Sequence, residues 1–220
     1  MKDETFSAYL TELGSKDGVS GGGSAGAYVG AMSASLARMV ADIQKDKKKY
    51  ADQKDKLLYL LKESQRIRES FERLAKADAV AFEPVLDAYK LPKETPEEKD
   101  SRDAAIEQAL NKAVEPPRTM LDEGLNLIHV LEELTSMRMK GTIVNDLMVA
   151  TLFMESVLET AGLNVTINTR LMKDMELKDR LEKEVGNILK QGKMQLTQLS
   201  EAIKFFLERN KWPDDLIEEE

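Results

Sequence analysis

Apolar residues recur at helical spacing from the start of the chain. Four of them mark one face of a short first helix over residues 3–13: Phe6, Tyr9, Leu10 and Leu13. Gly14 follows, where helices often end in a left-handed residue. Residues 14–23 are rich in glycine and predict a loop, after which Ser24 is placed to cap a second helix over residues 25–44. The chain is therefore expected to open with two helices joined by a flexible connection.

The same spacing predicts further helices in the middle of the chain. One carries apolar residues from 57 to 74, and another runs from about 77 to 90. Thr95 and Glu98 then mark a strong helix start, because threonine can cap, the following proline fits the first turn, and glutamate completes a capping box. That helix is expected to end near Pro116–Pro117.

The last third of the chain predicts three more helices. The first ends at about Gly141, and the second begins at about residue 145, with Gly162 as a candidate interruption. A long amphipathic helix occupies roughly residues 175–209. Trp212–Pro213 is then expected to close the fold.

Composition favours one fold class. The chain has 220 residues, of which 42% are hydrophobic, 33% are charged and only 5% are aromatic. This balance is typical of amphipathic helices rather than of strands, which favour aromatic and β-branched side chains. We therefore predict an all-α, single-domain bundle of long antiparallel helices over residues 1–220, with an acidic tail that frays from about 210 to 220.

Charge and cysteine content exclude several function classes. The formal net charge of −8 argues against a nucleic-acid surface, which needs clustered Lys and Arg. The sequence has no cysteine, so disulfides, thiolate nucleophiles and cysteine-based zinc sites are excluded. We see neither a secretory signal nor a stretch that could span a bilayer, and the cytoplasm is the expected compartment.

The run Gly21-Gly22-Gly23-Ser24 is the first candidate for chemistry. It immediately precedes a predicted helix, where free backbone N–H groups and the helix dipole can bind an anion or a polarised carbonyl. It matches neither a Walker nor a dinucleotide-binding fingerprint. Taken alone, such a run is more often only a flexible connection.

Several longer segments occur in an order that resembles a known family. They are GGGSAGAYVGAMSASLARMVA, KKKYAD, DAVAFEPVLDAYKLPKETPEEKDSRDAAIEQAL, and ND followed by LNVTIN. In this order they resemble the formimidoyltetrahydrofolate cyclodeaminase and methenyltetrahydrofolate cyclohydrolase family, from about Phe6 to the last long helix. The most specific part lies between Asp78 and Lys99, because helix packing alone does not demand that string.

The resemblance implies a helical homodimer that acts on the carbon bridge between N5 and N10 of tetrahydrofolate. A cyclodeaminase closes the ring of a formimino group and expels ammonia, whereas a cyclohydrolase opens the methenyl bridge with water. Both reactions need proton transfer and stabilisation of a cationic carbon. They imply a folate as substrate, with no metal and no tightly bound cofactor.

Two aspartates match acidic positions of the family. Asp146 lies at the predicted start of a helix, at the family's Ser-Asp position, and is the first candidate for the group that handles a proton. Asp78 is the candidate for a second catalytic carboxylate. Each has a simpler explanation, since Asp146 suits any first helical turn and Asp78 could be a helix N-cap.

The same resemblance also predicts residues that bind the substrate. Gly21, Gly22, Gly23 and Ser24 could hold the pterin or a polarised oxygen, and Ser24 could equally be only a cap. Asn164 and Asn168 lie four residues apart, on one helical face of an apolar segment, and could bind pterin heteroatoms or satisfy a kink.

Lysines are candidates for the glutamate tail of folate. They are Lys90 and Lys93, together with the run Lys47–Lys49, although most such lysines are solvated surface residues. The only histidine, His129, is expected to be structural.

The sequence also departs from the family. Gly18-Val19-Ser20 replaces the prolines that usually precede the glycine run, which predicts a looser loop. Asn145 replaces the usual serine, and Met148 stands where glycine is common and could narrow the pocket. These changes leave open an inactive, folate-binding member of the family.

A nonenzymatic helical interaction protein is the other alternative, because the sequence contains 11 methionines. Four of them are more simply explained as core residues: Met32, Met39, Met120 and Met172.

Overall fold

The computed structural model describes residues 5–214, and its regular structure there is helical throughout. The α-helices are α1 Phe6–Leu13, α2 Gly22–Gln44, α3 Lys54–Ala81, α4 Glu83–Tyr89, α5 Pro96–Ala113, α6 Glu115–Ser136, α7 Ile143–Thr169 and α8 Met175–Arg209, with a 3₁₀ helix at Lys48–Gln53. The all-α prediction is confirmed. The predicted fraying of residues 215–220 lies outside the described residues.

Helix α2 lies between α3 and α7 and runs antiparallel to both. Gly30 lies beside the ring of Phe71 on α3, and a Cβ at Gly30 would come within 2.7 Å of that ring. On the other side, Gly26 packs against Thr160, and the Ser33 hydroxyl donates to a carbonyl of α7 at 2.9 Å. The small residues of α2 therefore let two helices approach closely, which offsets the cost of about 1 kcal/mol for each helical glycine.

The remaining helices complete the bundle around this pair of contacts. Helix α6 packs against α3, α7 and α8, whereas α4 packs mainly on α5. Trp212 follows α8, and its indole N–H donates to the carbonyl oxygen of Met139 at 2.7 Å. Its ring stacks on Phe206, with a centroid separation of 4.6 Å. The prediction that Trp212 closes the fold is confirmed, and residues 210–214 are consequently not part of a frayed tail.

The helix start predicted from Thr95 and Glu98 is confirmed, because these residues form the capping box of α5. Asp174, which the sequence analysis did not identify, caps α8 by accepting from the amide of Leu177. Asn210 ends α8 in the left-handed conformation, with φ of 53°. The predicted range of α8, residues 175–209, is the observed one.

Two predictions about helix breaks are wrong. Helix α3 continues to Ala81 instead of ending before residue 77, because the break occurs just before Pro84, in the first turn of α4. Helix α5 does end near Pro116–Pro117, at Ala113, and the two prolines lie in the first turn of α6. Gly162 does not interrupt α7. It makes room for Leu189 of α8, which would lie 2.9 Å from a Cβ at that position.

Within residues 5–214, no helix combines the length and the apolar character needed to cross a membrane.

Candidate functional site

The start of α2 presents free backbone N–H groups. The helix begins at Gly22, with the extended Gly21 as its N-cap, and the amide of Ala25 donates to the carbonyl oxygen of Gly21 at 3.0 Å. The prediction that Ser24 is the N-cap is therefore wrong, because the glycines themselves form the first turn. The N–H groups of the first three helical residues have no partner within the helix and project outward from its N-terminal end.

Asp78 lies directly over this helix start. A Cβ at Gly23 would overlap the Asp78 carboxylate, so only glycine allows this approach. The backbone N–H of Ser24 interacts with the same carboxylate. Asp78 lies in the last turn of α3, so the explanation as a helix N-cap is excluded. The glycine run and Asp78, which were predicted separately, are therefore brought together.

Burial controls the charge of Asp78. It raises the pKa of this carboxyl group above its ordinary value, and the opposing effect of the Ser24 amide is smaller. A carboxyl group with a raised pKa keeps a proton more readily near neutral pH and can exchange it with a substrate. A half-buried acid with a perturbed pKa beside a helix N-terminus is a candidate for catalysis.

Tyr9 completes this cluster from α1. Its hydroxyl lies 3.3 Å from the Ser24 hydroxyl. Ser24 as a whole is only 1% exposed. The Tyr9 ring packs on Tyr28, one turn further along α2, with centroids 4.4 Å apart. The sequence predicted Tyr9 only as part of an apolar helix face. The signal that could have identified it is its hydroxyl, since buried tyrosines usually need a hydrogen-bond partner.

Glu12 holds the glycine-rich loop in place. Its carboxylate accepts from the amides of Ser20 and Val19, at 3.0 and 2.6 Å, and these hydrogen bonds lower the pKa of Glu12. A Cβ at Gly18 would overlap the Glu12 carbonyl oxygen. The absence of prolines predicted a looser loop, but the hydrogen bonds to Glu12 hold residues 19 and 20 in place. Sequence analysis missed Glu12.

A cleft of about 290 Å³ lies beside this cluster, between α1, α2 and α3. We call it the α1–α3 cleft; its lining residues are Phe6, Tyr9, Tyr28, Ala31, Met32, Ser35 and Glu72. Tyr9 both lines the cleft and contacts Ser24. Tyr9 is therefore the side chain that connects the cleft to the Ser24–Asp78 pair, neither of which lines the cleft itself.

The two predicted asparagines differ in role. Asn164 lies one turn beyond Thr160, which packs on Gly26, and is therefore level with the start of α2. Its side-chain amide donates to the Thr160 carbonyl oxygen at 2.8 Å. Asn168 is buried and donates to the carbonyl oxygens of Asn164 and Ala113, which ties α7 to the end of α5. Asn168 is accordingly placed to hold helices together.

Within one chain, Asp146 lies far from Ser24 and Asp78. It lies in the first turn of α7, fourteen residues before Thr160. At a rise of 1.5 Å per residue, Asp146 lies about 21 Å along the axis of α7 from the level of Gly26. Within a single chain, Asp146 therefore shares no cavity with Ser24 and Asp78, because α7 runs antiparallel to α2. Met148 is buried in the core two residues after Asp146, at the same end of α7 and away from Ser24.

The predicted cations lie on the surface. Lys90 and Lys93 are exposed between α4 and α5, and the ammonium group of Lys90 pairs with Asp87 at 2.8 Å. The run Lys47–Lys49 follows the end of α2, away from Ser24. His129 is exposed on α6.

The chain is similar to known proteins over most of its length. The sequence pattern of the formiminotransferase-cyclodeaminase family matches residues 5–187. Methenyltetrahydrofolate cyclohydrolase from Methylorubrum extorquens is 32% identical over 202 residues, covering 92% of this chain and 97% of that protein. Formimidoyltransferase-cyclodeaminase from Rattus norvegicus is 31% identical over 195 residues, and the match spans 36% of its length.

A solved structure has the same fold. Formiminotetrahydrofolate cyclodeaminase from Thermotoga maritima superposes with a TM-score of 0.77 and 26% identity, covering 94% of this chain and 98% of that one. The resemblance seen in the sequence is thereby confirmed. The chain belongs to the formiminotransferase-cyclodeaminase family.

Proposed function

We propose that this protein is a folate one-carbon enzyme acting on the N5–C–N10 bridge of tetrahydrofolate. The observation that carries the proposal is the half-buried carboxyl group of Asp78 against the open start of α2. Hydrolysis of methenyltetrahydrofolate is the first reaction to test, since the match to the cyclohydrolase covers nearly all of both chains. Cyclodeamination is the second, supported by the fold of the Thermotoga maritima enzyme.

Asp78 would serve as the proton carrier in hydrolysis. Water adds to the cationic bridge carbon, and its proton passes to the Asp78 carboxylate. The resulting tetrahedral intermediate collapses when the C–N5 bond breaks, its electron pair stays on N5, and Asp78 returns the proton to N5. The hydroxyl proton leaves to solvent as the formyl carbonyl forms on N10. Free N–H groups of α2 are placed to donate to the developing oxygen.

The same group serves the second reaction. N10 attacks the formimino carbon, and the proton of N10 passes to the former imino nitrogen. That nitrogen must gain one further proton before the C–N bond breaks and it leaves as ammonia. A carboxyl group with a raised pKa can supply that proton. Both reactions proceed by proton transfer, so the proposal includes no metal and no tightly bound cofactor. The cytoplasm is proposed as the compartment.

Parallel assays on the purified protein test the proposal. We expect it to accelerate the loss of the near-ultraviolet absorbance of methenyltetrahydrofolate, or to form that chromophore from formiminotetrahydrofolate with release of ammonia. If neither reaction is accelerated while folate still binds, the protein is an inactive homologue. If folate does not bind either, a nonenzymatic interaction protein is the better description.

We also propose that the enzyme is a homodimer whose sites use both chains. Leu152, Leu163 and Ile167 form an exposed apolar stripe along α7, at spacings that return to one helical face. A two-fold axis that passes through this stripe perpendicular to α7 would set two α7 helices antiparallel. Asp146 of one chain would then approach the Asn164 end of the other, where that chain's Ser24 and Asp78 lie.

A further inference from the structure

The α1–α3 cleft has flat, apolar walls. The rings of Phe6 and Tyr9 are nearly parallel, at 25°, with centroids 6.3 Å apart, and Tyr9 packs in turn on Tyr28. Phe6 is 57% exposed although it borders the cleft. Met32, which the sequence predicted as a core residue, is 38% exposed at the same place. Apolar side chains left uncovered beside a polar cluster are the usual surroundings of a ligand's ring.

Charge and hydrogen bonding narrow the class of ligand. Within the described part of the chain, the one charged group that lines the cleft is Glu72, which pairs with Arg68 at 2.6 Å. The Ser35 hydroxyl donates to the carbonyl oxygen of Ala31 in its own helix. The negative charge of Glu72 disfavours an anion such as a glutamate tail, and its pairing with Arg68 leaves this carboxylate less available to the N–H groups of a pterin. An uncharged aryl ring fits it better.

We propose that the α1–α3 cleft binds the aminobenzoyl ring of the folate substrate, with Phe6 and Tyr28 against the ring. Tyr9 lines the cleft and its hydroxyl contacts Ser24, so a ring held there would lie one side chain away from the Ser24–Asp78 pair. This inference rests on the proposed function and assigns the orientation of its substrate. The pterin lies toward the start of α2, and the glutamate tail points away from Glu72.

Two substitutions on α1 test the assignment by kinetics. Phe6→Ala removes a cleft wall, whereas Leu10→Ala is a matched control, since Leu10 lies one turn later, is 50% exposed and does not line the cleft. We expect Phe6→Ala to raise the KM for methenyltetrahydrofolate about tenfold with kcat within about twofold, because lost ring contacts weaken binding without touching the reacting atoms. Leu10→Ala should change neither. Equal effects of the two variants, or a change in kcat alone, would overturn the assignment.

Direct binding separates this assignment from the proposed function. Titration calorimetry with 5-formyltetrahydrofolate, which has the aryl ring, and with tetrahydropterin, which lacks it, is run on both variants. Phe6→Ala should weaken only the first ligand. If the wild-type protein has no turnover but this selective loss appears, the proposed function fails and the cleft assignment stands. Equal weakening of both ligands, or a change of oligomeric state in Phe6→Ala with unchanged binding, overturns the cleft assignment.

Discussion

Gly23 and Asp78 depend on each other. An acidic side chain in the last turn of a helix is disfavoured by the helix dipole by about 0.3–1 kcal/mol. The Asp78 carboxylate instead lies against the positive end of α2, which is accessible only because residue 23 has no side chain. The sequence allowed both residues to be selected as candidates. Their contact could not be predicted, since 54 residues of intervening chain determine where α3 ends relative to α2.

Asp78→Asn should separate stability from activity. The raised pKa means that the folded state binds this proton more tightly than the unfolded state, so the aspartate costs stability once pH rises through its folded pKa. We therefore expect the variant to have a higher Tm than the wild type at pH 7. The difference should shrink as pH falls toward 3.8, the ordinary pKa of an aspartate. Turnover should fall at least about 100-fold.

Thermal melts across pH and the two turnover assays check this prediction, with Asp100→Asn on the exposed surface of α5 as the control. A lower Tm at pH 7 would contradict the burial argument, and unchanged turnover would remove Asp78 from the mechanism.

Helix boundaries were predictable where the signal is local. The capping box at Thr95 and the limits of α8 depend on a few adjacent residues, and both are observed. Gly162 could not be interpreted in this way, because its role is set by Leu189 on another helix. A glycine in a helical pattern therefore marks either a helix break or a close contact with another helix. The position of the neighbouring helix determines which of the two occurs.

Two helical glycines allow a matched test of this point. Gly30→Ala places a methyl group against the buried Phe71 ring, and we expect a net loss of about 1–2 kcal/mol of stability after the gain in helix propensity. At Gly186, no atom of the described residues lies within 4 Å of an added Cβ, so Gly186→Ala should stabilise by up to about 1 kcal/mol. Urea denaturation measures both. Equal effects of the two substitutions would contradict close packing of α2 on α3.

At the scale of the molecule, α2 and α7 carry candidate residues at opposite ends. The sequence named Asp146, Asp78 and Ser24, and the family resemblance gave no information about which of them share an end. Antiparallel packing of α2 on α7 separates Asp146 from the other two within one chain. A site that uses all three therefore requires a second copy, and this requirement makes a quantitative prediction.

Mixing two inactive variants tests the two-chain site. We expect Asp78→Asn and Asp146→Asn each to lose turnover while staying dimeric by light scattering. After joint unfolding and refolding at equal amounts, half of the dimers contain one chain of each kind. In each mixed dimer one site keeps both native aspartates, so turnover should recover to about a quarter of the wild-type value. A site formed within one chain has no such route, because every chain in the mixture lacks one aspartate. Absence of recovery in dimers shown by mass spectrometry to be mixed would therefore confine the chemistry to a single chain and exclude Asp146 as a partner of Asp78.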